Sequence, residues 1–87
     1  MKVYIVHTSD YYHYSGTLIK GFTNLEKAIE FAVDVVMEKN HKYNRDYVKE
    51  TIHSRYGKPF SNDLFVYTDY YDIEYDEFVG IITIEVE

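Results

Sequence analysis

Carboxylates and tyrosine rings alternate along residues 68–78, where the sequence is TDYYDIEYDEF. Carboxylates form charge-assisted hydrogen bonds with Arg and Lys, and tyrosine rings can stack against guanidinium groups. These residue types favour noncovalent recognition of a basic surface, although charged strand ends also serve simply to discourage aggregation. The candidate recognition residues are Asp69, Tyr70, Tyr71, Asp72, Glu74, Tyr75, Asp76 and Glu77.

The charge of the chain is divided unevenly along its length. All nine Lys and Arg lie before Pro59, together with seven of the 15 Asp and Glu, and the remaining eight acids follow it. The formal net charge of −6 disfavours direct binding of nucleic acid and of anionic membranes. The partner predicted from this balance is a basic protein surface.

A second group of acids recurs every four residues in a segment with helical periodicity. At this spacing the carboxylates form one ridge along a helix, and each like-charge pair costs a few tenths of a kcal/mol. The ridge is either a solvated face moderated by Lys27 and Lys39 or a second surface for the basic partner. We call it the acidic ridge, and its members are Glu26, Glu30, Asp34 and Glu38. The last three are the candidate partner-binding residues.

Patterns that would indicate catalysis or metal binding are missing from the sequence. There is no Cys, and the four His show no metal-ligand spacing. The acids at 72, 74 and 76 resemble the start of a calcium loop, but Glu77 stands where that loop requires glycine. No Gly-rich phosphate loop or nucleophile elbow is present. The sequence therefore predicts a protein that is not an enzyme, with no catalytic residues, no metal and no cofactor.

Hydrophobic patterning predicts an α+β domain with the element order ββααββ. Strands are expected at 3–8, 15–21, 64–68 and 78–87, with residues 69–77 as an acidic connection. Thr23 and Glu26 have capping-box spacing for a first helix, and Asn44 and Gly57 mark the ends of a second. We expect a single domain over residues 1–87, with a mostly antiparallel sheet and both helices on one face. The residues expected to face that sheet are Ala28, Ile29, Ala32, Val36, Val48 and Ile52.

The first third of the chain resembles small uncharacterised accessory proteins of phages and bacteria. The resemblance covers residues 2–32 and is carried by KVYIV at 2–6, IKGFT at 19–23, EKA at 26–28 and FA at 31–32. It implies a phage-type accessory origin, in which small acidic proteins often block host-defence nucleases or nucleic-acid-binding proteins. With no apparent signal peptide, membrane-length segment or Cys, the expected location is the cytoplasm, that of the host cell if a phage encodes the chain.

These observations favour a non-enzymatic inhibitor or binding module that occupies a basic surface of a partner, for example one that binds nucleic acid. Two alternatives remain open. One is a homodimeric structural or assembly protein that pairs through a spare apolar face. The other is a regulator that binds a small ligand in a tyrosine-lined pocket. The spare face predicted for the dimer comprises either Tyr4, Val6, Ile81 and Thr83 or Phe31 and Val33 of the first helix.

Overall fold

The computed structural model describes residues 1–10, 17–39, 42–58, 64–69 and 72–87, with the backbone alone described at 9–10, 17–18, 66–69 and 72–77. The predicted α+β class and the order ββααββ are confirmed. The elements in chain order are β1 (Lys2–Asp10), β2 (Thr17–Phe22), α1 (Leu25–Lys39), α2 (Arg45–Arg55), β3 (Phe65–Asp69) and β4 (Asp72–Glu85).

The four strands form one antiparallel sheet in the order β2-β1-β4-β3. β1 and β4 are central, which agrees with the apolar character of both faces of β1. Directly opposite residues share a face of the sheet, so Val6 lies beside Ile81 and Tyr4 beside Thr83 on the face that the helices cover. Tyr56, which follows α2, confirms this placement because its hydroxyl lies 2.8 Å from the Thr83 hydroxyl.

The core lies between the helices and this face. All six residues predicted to face the sheet are fully buried, and this prediction is confirmed. They pack with Val6 of β1 and Val79 of β4, and with Leu64 and Phe65 at the start of β3. Small side chains at Ala28 and Ala32 let α1 approach the strands closely.

The helix boundaries agree with the predictions except at the first cap. α1 begins at Leu25, and the side chain of Asn24, rather than Thr23, accepts the Lys27 amide at 3.1 Å. The N-cap is therefore Asn24, one residue later than predicted, because Asn is as good a capping residue as Thr, and the predicted capping box with Glu26 is not formed by these described residues. In α2, Asn44 caps as expected by accepting the Asp46 amide at 2.8 Å. Gly57 takes the left-handed conformation with φ of 79°, as predicted for the residue that marks the end of the second helix.

The last strand begins six residues earlier than predicted. Most of the expected acidic connection belongs to β3 or β4, because β3 ends at Asp69 and β4 begins at Asp72. Acidic residues suggested a loop, but Asp72, Asp76 and Glu77 pair with β3, and Glu77 also pairs with β1. The segment also contains the good strand formers Ile73 and Tyr75. Tyr70 and Tyr71 lie outside the described residues.

The prediction for the spare apolar face was wrong. Tyr4, Val6 and Ile81 pack against the helices, Val33 is fully buried and Phe31 packs against the core. Periodicity separates the two faces of a strand, but it does not say which of two apolar faces a helix will cover. Neither helix covers the opposite face of the sheet, which we call the outer face; its apolar centre is formed by Val3, Ile5, Gly21, Ile82 and Ile84.

Candidate functional site

Most of the acidic ridge on α1 is paired with basic side chains of α2. Arg45 donates from Nη1 to Asp34 Oδ1 at 2.6 Å and from Nη2 to Glu30 Oε2 at 2.8 Å. Lys49 donates to the other Glu30 oxygen, and His53 Nε2 lies 3.4 Å from Glu26 Oε2. We call this set of six side chains the interhelical ladder.

The spacing of residues in the two helices explains the ladder. The acids at 26, 30 and 34 and the bases at 45, 49 and 53 are each four residues apart, so each set lies along one side of its helix. The pairs form in opposite chain order, because α1 and α2 run antiparallel. The sequence contained this signal, since the basic residues at 45, 49 and 53 have the same spacing as the acids.

Hydrogen bonds within the ladder stabilise the charged state of Glu30, Arg45 and Lys49. Hydrogen bonding to Lys49, and then to Arg45, holds the pKa of Glu30 below its ordinary value. The pKa of Arg45 is raised chiefly by Asp34 and then by Glu30, and the pKa of Lys49 is raised by Glu30. These side chains therefore remain charged across the neutral range, and Glu30 and Asp34 already have cationic partners within the chain.

Glu38 differs from the other members of the ridge. Its side chain is exposed, and within the described part of the chain no ion pair involves it. α1 follows β2 at the end of the sheet where Tyr4 pairs with Phe22, and α2 returns there to place Tyr56 against Thr83. The opposite end of α1, which carries Glu38, therefore lies toward the other end of the sheet. Partner binding by Glu30, Asp34 and Glu38 stays a prediction.

That other end of the sheet carries the acidic hairpin, by which we mean Asp69 of β3 and residues 72–77 of β4. Among the described residues, β1 pairs with β4 from Glu85 back to Glu77, where Asp10 is the opposite residue. The first five residues of β4, from Asp72 to Asp76, continue past this last described pair with β1.

The register of the hairpin places acid opposite acid. Asp69 lies opposite Asp72, and Glu77 lies opposite Asp10 on β1. Opposite residues of an antiparallel pair have Cβ atoms about 4.5–5.5 Å apart, and like charges at that separation are destabilising. On the β3 side, Asp76 and Glu77 lie opposite Thr68 and Tyr67. The register thus places no basic residue opposite these acids.

The pairing of β3 with β4 is irregular between Thr68 and Asp69, close to several of the candidate partner-binding residues. Thr68 pairs with Asp76 and Asp69 with Asp72, so residues 73–75 of β4 have no opposite residue on β3. Such bulges redirect the side chains around them and increase the local twist. Six of the candidate residues, Asp69, Asp72, Glu74, Tyr75, Asp76 and Glu77, thus belong to one pair of adjacent strands.

A small open depression lies between α2 and β3. It is lined by Tyr43, Tyr47, Thr51, Arg55 and Phe65, and the Tyr43 ring meets Phe65 edge-on at 5.0 Å between centroids. Among the described residues, this depression is a tyrosine-lined feature of the kind predicted for a small ligand. Its aromatic rings pack on one another, and Tyr47 remains 56% exposed.

Comparison with protein-family models, curated proteins and solved structures gives no match for this chain. Neither α1 nor α2, the helices in the described ranges, is long and apolar enough to cross a bilayer. The side chains described contain no group of three or more His, Asp or Glu placed to hold a metal ion. The arguments on function therefore depend on the geometry and charge of this chain alone.

Proposed function

We propose that the protein is a non-enzymatic binding module, of the inhibitor type, that occupies a basic surface of a partner protein through its acidic hairpin. The observation that carries the proposal is the hairpin register, with Asp69 opposite Asp72 and Asp10 opposite Glu77. Opposed acids lower the stability of the isolated protein. A partner that supplies Arg or Lys removes this repulsion and gains charge-assisted hydrogen bonds.

The contrast with the interhelical ladder supports this proposal. Where acids on α1 face α2, the chain supplies Arg45, Lys49 and His53 as partners. From Pro59 onward it supplies no Lys or Arg at all. A charged strand end that only prevented aggregation would work as well with lysine. The one-sided charge therefore favours a complementary basic surface outside the chain.

A nucleic-acid-binding groove is the partner surface that fits this chemistry best. Such grooves are lined with Arg and Lys for contacts with phosphates. Carboxylates spaced along the acidic hairpin compete for the same side chains, and tyrosine rings near them provide anchors of the kind that dominate binding energies. A phage-type accessory protein acting on a host nuclease in the host cytoplasm is the biological setting that we propose.

The first experiment identifies the partner and its dependence on charge. The protein is immobilised, exposed to a bacterial lysate, washed and eluted with salt, and the eluted proteins are identified by mass spectrometry. Binding of the purified partner is then followed by biolayer interferometry at low and high ionic strength. Because salt screens exposed charges, the association rate is expected to fall steeply as salt is added, and duplex DNA is expected to compete.

The triple variant Asp72→Asn, Glu74→Gln and Asp76→Asn tests the hairpin itself. It removes charge while keeping side-chain shape, so association with the purified partner should slow, whereas Tyr75→Ala should mainly speed dissociation. The matched control is Glu50→Gln, Glu85→Gln and Glu87→Gln, which removes the same charge away from the hairpin. Equal rates for the triple variant and wild type at low salt would contradict the proposal, and the next surface to test would be Glu30, Asp34 and Glu38.

A further inference from the structure

The outer face of the sheet combines exposure with apolar character. Val3 lies opposite Ile84, and Ile5 opposite Ile82, so four β-branched side chains form the centre of this face. Ile82 is 42% exposed and Ile84 43%, and Val86 at the end of the same row is 40% exposed. An antiparallel sheet with one face in water ordinarily presents polar side chains there. This face therefore has the composition of a covered surface.

Gly21 adds to the apolar area of this face. A Cβ atom at Gly21 would lie 3.6 Å from Val3 Cγ1 and 3.9 Å from Ile5 Cγ1. With glycine instead, the sides of both neighbouring side chains remain uncovered. Glycine within a strand can mark a bulge, a bend or a place where a ligand or another backbone approaches closely.

The absence of charge at the centre of the outer face restricts the kind of partner. The five residues that form it, Val3, Ile5, Gly21, Ile82 and Ile84, are all uncharged. A basic partner of the acidic hairpin gains no electrostatic complementarity from such a surface. Two copies of the chain, each with a net charge of −6, repel one another at long range but meet here without opposing carboxylates at the centre.

We infer that the outer face is the interface of a homodimer, in which the sheets of two copies pack face to face. Stacked sheets lie about 10 Å apart and cross at about 30°. β1 and β4 share nine residues along this face, and β2 and β3 add six and three over the same length. With about 3.3 Å per residue and about 4.8 Å between strands, the face covers about 430 Å² per copy. The total, about 860 Å², is below the roughly 1,000 Å² of a stable specific interface, so the dimer is a weak one that forms in a concentration-dependent way. The helices would then lie on the two outsides of the dimer.

This inference goes beyond the proposed function and does not depend on it, because the hairpin and the outer face are different surfaces. It also differs from the dimer predicted from the sequence, whose contact residues Tyr4, Val6 and Ile81 pack against the helices. A monomeric protein could still bind a basic partner, and a dimeric one could fail to do so. The two proposals can therefore fail separately.

Sedimentation velocity of the purified full chain from low to high micromolar concentration tests the inference. Wild type is expected to shift from monomer to dimer with concentration. Ile84→Lys places an ammonium group in the apolar interface and should weaken dimerisation by roughly tenfold or more. Tyr47→Lys makes the same change at an exposed aromatic residue of α2 and should dimerise like wild type. A wild type that stays monomeric, or an Ile84→Lys variant that dimerises as its control does, would overturn the inference.

A second measurement covers the case in which Ile84→Lys does not fold. Because a dimer is stabilised by mass action, the Tm of wild type should rise with protein concentration. The milder variant Ile82→Thr keeps a β-branched strand residue while introducing a hydroxyl at the interface, and its Tm should rise less steeply. A wild-type Tm that is independent of concentration would contradict the dimer without reference to any variant.

Discussion

The acidic ridge of α1 and the acidic hairpin have similar compositions but different surroundings. In the ridge, Glu30 accepts hydrogen bonds from both Arg45 and Lys49. In the hairpin, Asp69 faces Asp72 across the strands, and no basic residue exists anywhere after Lys58. Carboxylates of the first region pair with cations of the neighbouring helix, whereas the register of the second region places acid opposite acid, an arrangement that disfavours strand pairing. Similar acidic sequences can therefore have opposite effects on stability.

The comparison also explains why the number of acidic residues alone did not show whether the acidic ridge is a solvated face or a surface for a partner. A ridge of four acids on α1 is unfavourable in an isolated helix, but the antiparallel neighbour α2 converts most of it into ion pairs. Tertiary pairing of this kind is invisible when each helix is considered separately. In the hairpin, the neighbouring strands supply further acids instead.

The largest loss of stability is expected from truncating a buried side chain of α2. Ile52 is fully buried between α2 and the sheet, so Ile52→Ala should lower the free energy of unfolding by about 2–5 kcal/mol. Urea denaturation followed by circular dichroism measures the loss. The control Glu50→Ala, at an exposed neighbouring position of α2, should stay within about 0.5 kcal/mol of wild type. A loss below about 0.5 kcal/mol for Ile52→Ala would contradict the packing that positions the ladder.

A smaller loss is expected from neutralising the centre of the ladder. Glu30→Gln removes the charge that Arg45 and Lys49 share. Because these side chains are partly exposed and solvent screens them, the expected loss is only about 0.5–1 kcal/mol. Glu38→Gln, on the same helix but without an ion pair among the described residues, should have no comparable effect. Equal losses for the two variants, measured by thermal denaturation, would argue against a stabilising ladder.

The same pair of proteins should differ in their response to acid. The folded-state pKa of Glu30 is lowered by Lys49 and then by Arg45. Its contribution is therefore fully present above the ordinary glutamate pKa and is lost as the pH falls from there through the lowered pKa of the folded state. The difference in Tm between wild type and Glu30→Gln should be constant near neutrality and disappear on acidification. A difference that persists at low pH would assign the effect to something other than the carboxylate charge.

The smallest expected effect has the opposite sign. Asp72→Asn removes repulsion from Asp69, so the free energy of unfolding should increase by roughly 0.2–0.5 kcal/mol at low salt. The gain should shrink at high salt, where charges are screened. Glu85→Gln, on the same strand but opposite Lys2 and in contact with the amino terminus, should instead lower stability. If both variants shift stability in the same direction, the distinction between the two regions fails.

The sequence was sufficient for the fold class and most of the core because those depend on local periodicity. Ala28, Ile29 and Ala32 repeat at helical spacing, and Asn44 and Gly57 have the residue types that helix ends require. The first cap was assigned to Thr23 instead of Asn24, since both are capping residues and their order does not distinguish them.

Features that depend on contacts between distant residues were harder to predict. The six additional residues of β4 extend the strand through pairing mainly with β3, and Glu77 alone among them also pairs with β1. Pairing of Glu30 with Lys49 depends on the packing of two helices. Which face of the sheet the two helices cover depends on the path of the chain from β2 into α1. That path leaves Ile82 and Ile84 on the uncovered face. For the candidate site, composition indicated the residues, and only the strand register revealed their unfavourable pairing.

The first and last described residues meet at one end of the sheet, next to its two central strands. The Val86 amide donates to the Met1 carbonyl at 2.7 Å, and Lys2 lies opposite Glu85, whereas the acidic hairpin lies toward the other end of this strand pair. An affinity tag after Glu87 would therefore direct the hairpin away from a solid support. A short linker could also join the two ends, so that new termini can be opened elsewhere. Such a circular permutant would move the point of attachment without altering the charges of the hairpin.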